Sequence, residues 1–194
     1  MVEREIVVFI GPEGSGKTTH ALRLVRESGR PYITTGDIIR DLAQKDSGPL
    51  GDECREMFAS HGYLNGATLL KILVHRFGQD DVASGFVLDG GLRTLEETID
   101  FPAMLDEAGL DLPVTVIHLR VPGWMSFERL IFGEAARKRN DDTIEGILSR
   151  LSKYYHQLGK RAAVIEEQPN WRLAHVDATG PVEAVYAEVV GRLQ

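Results

Sequence analysis

The chain has 194 residues, of which 43% are hydrophobic and 26% charged, and its net charge is −7. That length and balance suit one globular domain with a good core, and exclude a disordered or fibrous chain. The acidic charge disfavours an electrostatic grip on nucleic acid, and the one cysteine, Cys54, excludes an internal disulfide framework and any cysteine-rich metal site.

The first apolar run, "EIVVFI" (5–10), is too short for a membrane span or a signal-peptide core. A soluble cytoplasmic monomer is expected, with no membrane and no nucleic acid among its partners. Directly after this run comes "GPEGSGKT", Gly11 to Thr18, with the spacing G-x-x-x-x-G-K-[ST]. Gly11, Gly14 and Gly16 let the backbone wrap an anion, and the N–H groups around Ser15 point inward as a helix begins near 17–28. Lys17 can reach terminal phosphates, and the hydroxyl of Thr18, followed by Thr19, suits Mg²⁺.

The second β-type run, "PYIT" (31–34), leads into "TTGDIIR", which carries Thr35, Gly36, Asp37 and Arg40. Helical patterns near 37–45, 51–60 and 67–77 make the connection to the next strand too long for a simple crossover. Residues 35–64 therefore read as an inserted helical subdomain. The third run, "GFVLD" (85–89), ends in Asp89, at the place where such folds hold Mg²⁺ through water. Gly90 and Gly91 permit a sharp exit that leaves Arg93 near the same edge. Thr94 and Glu97 then have capping-box spacing for a helix over 94–108.

Two more β-type runs, 114–121 and 172–177, alternate with helical patterns near 124–137, 142–167 and 181–193. In the long pattern Ile144, Ile147, Leu148, Leu151, Tyr154, Tyr155, Leu158, Ala162 and Ile165 recur on one face. Continuously apolar strands separated by helices predict an α/β fold: a three-layer P-loop sandwich in which helices flank a five-stranded parallel sheet. Arg40, Arg93, Arg137, Arg139 and Arg150 form a recurring set in an acidic chain. Phosphates need several convergent bidentate donors, so this set predicts a site for the phosphates of two substrates. The six histidines are scattered, and none carries an assigned role.

Several ordered motifs together resemble the adenylate kinase-type nucleoside monophosphate kinases over nearly the whole chain. "GPEGSGKTT" is similar to the family's phosphate loop and "TTGDIIR" to its S-T-G-D-x-x-R acceptor motif. "GYLNGATLL" is similar to its G-x-L-V-P segment, and "LDGGLRT" to L-D-G-F-P-R-T. "RNDDTIEGILSRLSKYY" is similar to the R-x-D-D…R-L-x-x-Y stretch that closes over the transferring phosphate.

The resemblance implies transfer of the γ-phosphate of Mg·ATP to a nucleoside monophosphate, AMP first among acceptors. It divides the chain into a core (1–34, 65–123, 140–194), an acceptor-binding insert (35–64) and a short, metal-free lid (129–139). Lys17, Arg93, Arg139 and Arg150 would be catalytic, and Arg129 would stack on the donor base. Thr35, Gly36, Arg40, Leu64, Arg93 and Glu97 would hold the acceptor, and Thr18 and Asp89 the Mg²⁺.

The motifs also depart from the family. Gly91-Leu92 replaces Phe-Pro, Asn65-Gly66 replaces Val-Pro, and Thr18 replaces a glycine. Gly133 replaces a lid arginine, with Arg137 as a substitute. Glu97 replaces a base-reading glutamine; an ionised carboxylate only accepts hydrogen bonds, which favours guanine over adenine at that contact. Two other readings stand beside this one. One is a kinase with a hydroxyl acceptor, for which Asp37 is the candidate base; the other is a nucleotide-binding module without turnover.

Overall fold

The structure, a computed structural model, describes residues 4–60, 66–133 and 143–194. Five strands form one parallel sheet: β1 (Ile6–Ile10), β2 (Tyr32–Thr34), β3 (Val87–Asp89), β4 (Val114–Arg120) and β5 (Trp171–Asp177), in the order β2-β3-β1-β4-β5. Helices α1 (Lys17–Ser28), α2 (Thr35–Lys45), α3 (Pro49–Ser60), α4 (Gly66–Phe77), α5 (Leu95–Glu107), α6 (Gly123–Phe132), α7 (Ile144–Glu166) and α8 (Val182–Arg192) connect or follow them. A single 3₁₀ turn, Asp80–Val82, precedes β3. The expected parallel α/β sandwich is present.

β1 is buried along its whole length because both faces of the sheet are covered, and successive side chains feed opposite layers. Ile6, Val8 and Ile10 join Leu88, Val114 and Val116 in a core that also takes Ile39, Cys54, Ile72, Phe77, Phe101 and Ile165 from the helices. Phe77 stacks on Phe86 at 4.8 Å, and Phe101 meets Trp171 edge-on at 5.7 Å. Val7 and Phe9 face the other layer, where Ala21 and Leu24 of α1 and Val185, Tyr186 and Val189 of α8 pack.

The long helix α7 differs from its expected pattern. Ile147, Leu151 and Ile165 are buried, whereas Ile144 and Leu148 are exposed and no described element covers them. The helix is also buried at a charged position, Arg161. Among the described residues, no helix is long and apolar enough to cross a membrane.

Candidate phosphoryl-transfer site

In an open parallel sheet, ligands gather outside the carboxyl ends of the strands, where the strand order reverses. Here β1 lies between β3 and β4, and the register pairs Phe9 with Asp89 and Asp89 with Thr34. Three sequence motifs are thereby brought side by side: the glycine loop after β1, the acid ending β3 and the Thr-Gly-Asp segment after β2.

The glycine loop has backbone angles that side chains resist. Gly14 and Gly16 have φ of 78° and 89°, and a Cβ on Gly14 would stand 2.8 Å from the Ser126 carbonyl oxygen. Gly16 is the N-cap of α1 and offers no side-chain oxygen, which leaves the first-turn N–H groups to an anion. Ser15 is buried, and Thr19 is exposed on the first turn of α1. Lys17 folds back over the loop, and its Nζ donates to the carbonyls of Gly11 and Pro12 at 2.8 Å each.

Across from the loop, the Thr18 hydroxyl donates to Asp89 Oδ2 at 2.6 Å, and the Tyr32 hydroxyl donates to the same oxygen at 2.8 Å. Asp89 is buried at the strand end, so its direction is set by these two donors. Thr18 and Asp89 offer hard oxygen ligands. Among the described residues no group of three or more His, Cys, Asp or Glu is arranged to hold a metal. This donor set fits Mg²⁺ bound by one or two protein oxygens together with substrate phosphates.

The turn into α5 begins one residue past Asp89. Gly90 has φ of 80°, which side chains resist, and a Cβ on Gly91 would run into the Leu88 side chain. The turn closes with Arg93 Nε donating to the Gly90 carbonyl, and the exposed guanidinium lies beside Gly90, where an added Cβ would stand 3.1 Å from its Nη2. Thr94 is the N-cap of α5, and its hydroxyl accepts from the Glu97 N–H at 3.1 Å, as the capping-box spacing predicts. The return bond differs: Glu97 Oε2 accepts from the Arg93 N–H, at 2.7 Å. Glu97 thus anchors the arginine-bearing turn as well as the helix. On α2, Thr35 is buried and Arg40 is ion-paired with Asp37 in an exposed turn. A Cβ on Gly36 would meet the Arg40 guanidinium at 3.4 Å.

The remaining arginines approach the loop from the other side. Arg129 donates to the Gly14 carbonyl at 3.3 Å and to the Ala178 carbonyl at 3.0 Å, joining the glycine loop to the segment after β5. Arg150 Nε meets Glu13 Oε2 at 2.7 Å, which places α7 against the loop. Leu64, Arg137, Arg139 and most of the expected lid lie outside the described residues. Three contributors were invisible in the motifs. Glu13 occupies a variable position of the loop, Tyr32 lies inside a β-type run, and Arg161 sits within a helix whose periodicity marks only its apolar face.

One edge of the sheet thus carries a glycine loop with open first-turn N–H groups, a buried acid opposite it and an arginine on the next turn. Such an edge is the arrangement of a P-loop phosphotransferase. Comparison with known proteins narrows the class. The family model "Adenylate kinase" matches residues 9–167. An adenylate kinase of Xanthomonas campestris pv. campestris (strain B100) is 33% identical over 183 residues, 94% of this chain and 96% of that protein. One of Mycobacterium leprae (strain Br4923) is 34% identical over 188 residues, 96% and 98% respectively. The chain belongs to the adenylate kinase family.

Proposed function

We propose that this protein is an adenylate kinase, transferring the γ-phosphate of Mg·ATP to AMP. The observation that carries the reading is the pairing of Thr18 with Asp89 directly beside the turn that presents Arg93. Donor and acceptor phosphates held at these two places would meet over the ends of β1 and β3.

A monophosphate oxygen is already a nucleophile, so the chain needs no general base. Alignment, charge neutralisation and exclusion of water are sufficient. The first-turn N–H groups of α1 and Lys17 hold the β- and γ-phosphates, with Lys17 moving from the loop carbonyls to the incoming anion. Thr18 and Asp89 would hold Mg²⁺, which would spread the negative charge of the donor phosphates. Arg40 and Arg93 orient the acceptor phosphate for in-line attack. Arg150, with Arg139, neutralises the group in flight, and Arg129 packs on the donor base. The ion pair of Asp37 with Arg40 disfavours Asp37 as the base of a hydroxyl kinase.

ADP formation from Mg·ATP, measured against AMP, GMP, CMP and UMP, tests the proposal. AMP-dependent turnover that disappears in Lys17→Ala is expected. ATP binding without turnover on any monophosphate would refute it.

A further inference from the structure

The turn between Asp89 and Arg93 is conformationally expensive. Leu92 has φ of 52°, in the left-handed region, and its side chain is buried. A non-glycine residue is strained there and persists only where its surroundings over-determine it. The surroundings come from α7. Arg161 is 1% exposed, and its Nη1 donates to the carbonyls of Leu92 at 2.6 Å and Arg93 at 3.1 Å. Nη2 donates to the Tyr154 carbonyl at 3.3 Å, and the guanidinium lies 4.7 Å from the centre of the Tyr154 ring.

A buried guanidinium is costly, and burial lowers its pKa from the ordinary arginine value. The core positions around it on α7, Leu151 and Ile165, are apolar, so packing alone does not require a charge there. Nη1 takes both consecutive carbonyls of the turn, and the planar fork lets Nη2 reach the Tyr154 carbonyl at the same time, which ties the turn to α7. Arg150 lies eleven residues upstream (161 − 150) on α7, close to three full turns and about 16 Å along the axis. One side of one helix therefore touches the donor loop through Glu13 and the acceptor turn through Leu92 and Arg93.

We propose that Arg161 is a positioning residue that fixes the Arg93 guanidinium in register with the phosphate loop, using α7 as the spacer between the two. The proposal rests on the reading of Arg93 as a grip on the acceptor phosphate. Losing Arg161 releases the Leu92–Arg93 carbonyls, and Arg93 then samples orientations that miss the acceptor. ATP binding, which uses groups on the other side of the site, is unaffected.

Steady-state kinetics of Arg161→Met, Arg161→Lys, Arg93→Met and the Arg93→Met/Arg161→Met double variant test this, with Ile165→Val as a core control and Tm measured for all. Arg161→Met should raise the acceptor KM by about tenfold while the ATP KM stays within about twofold of wild type. Arg161→Lys should lie between the two, and the effect of Arg161→Met should vanish in the Arg93→Met background. A lowered Tm with an unchanged acceptor KM, as expected of Ile165→Val, would make Arg161 merely structural and overturn the proposal. So would additivity in the double variant. If Arg161→Met does not fold, Arg161→Lys decides, and a wild-type acceptor KM there overturns it. An unchanged acceptor KM in Arg93→Met would remove the phosphate-grip reading itself, which is a separate failure.

Discussion

Replacing His118 by glutamine should flatten the acid limb of the protein's stability curve. His118 is buried on β4, where its Nδ1 lies 3.0 Å from His175 Nδ1 and its Nε2 3.1 Å from the Tyr154 hydroxyl. Burial, reinforced by His175, Arg120 and Arg161, lowers its pKa from 6.5 to about 4. A depressed folded-state pKa means that the unfolded chain takes up a proton first. The contribution of neutral His118 is therefore fully present above pH 6.5 and is lost as pH falls toward 4. Each pH unit in that window changes stability by about 1.4 kcal/mol, so the 2.5-unit interval (6.5 − 4) amounts to about 3 kcal/mol. Glutamine keeps hydrogen-bonding capacity without titrating. Urea unfolding at intervals from pH 8 to 4 should give a wild-type-minus-variant difference that shrinks by that amount, whatever the carboxylates do in both proteins. Parallel curves would show that His118 exchanges protons equally in both states, and the desolvation argument would fail.

Three further outcomes test the site. Tyr32→Phe removes one of two donors to Asp89, a bond to a carboxylate worth about 1.5–3 kcal/mol, so the Mg²⁺ concentration for half-maximal activity should rise at unchanged fold; titration of activity with Mg²⁺ checks this. Glu13→Gln removes a negative charge from the phosphate loop and releases Arg150. The Glu13 carboxylate competes with an incoming phosphate for the Arg150 guanidinium. With the side chains 35% and 17% exposed, the pair is worth about 1 kcal/mol, so the ATP KM should fall by up to about fivefold, and an unchanged or higher value would show that the two do not compete. Glu97→Gln gives the acceptor pocket a mixed donor and acceptor in place of an acceptor; the AMP:GMP ratio of kcat/KM should rise, and an unchanged ratio would remove Glu97 from base reading.

The glycine loop was legible because its chemistry is local. The angles of Gly14 and Gly16, the cap of α1 and the reach of Lys17 all belong to one eight-residue motif. The sheet was legible for a similar reason: strands buried on both faces leave unbroken apolar runs, and β1 shows why. The contacts that orient the site span long separations and leave no local trace. Glu13 and Arg150 are 137 residues apart, Tyr32 and Asp89 57, and Arg161 and Leu92 69. Glu97 lies between these cases. Its spacing from Thr94 marked a capping box correctly, but the pattern could not show that the carboxylate would bind the N–H of Arg93 instead of that of Thr94.

The same long-range contacts explain how this chain manages a turn of Gly91 and Leu92. Two glycines before an arginine favour many backbone conformations, and an unsupported turn would deliver Arg93 to no fixed place. Here the conformation is determined from three sides: Leu88 closes on Gly91, the Glu97 carboxylate takes the N–H of Arg93, and Arg161 takes the carbonyls of Leu92 and Arg93. Each support comes from a different element: β3, α5 and α7. Arg93 is thus tied to the sheet, to the helix that follows it and to the helix that touches the glycine loop, so order at this turn is a property of the packed core rather than of the turn's own residues.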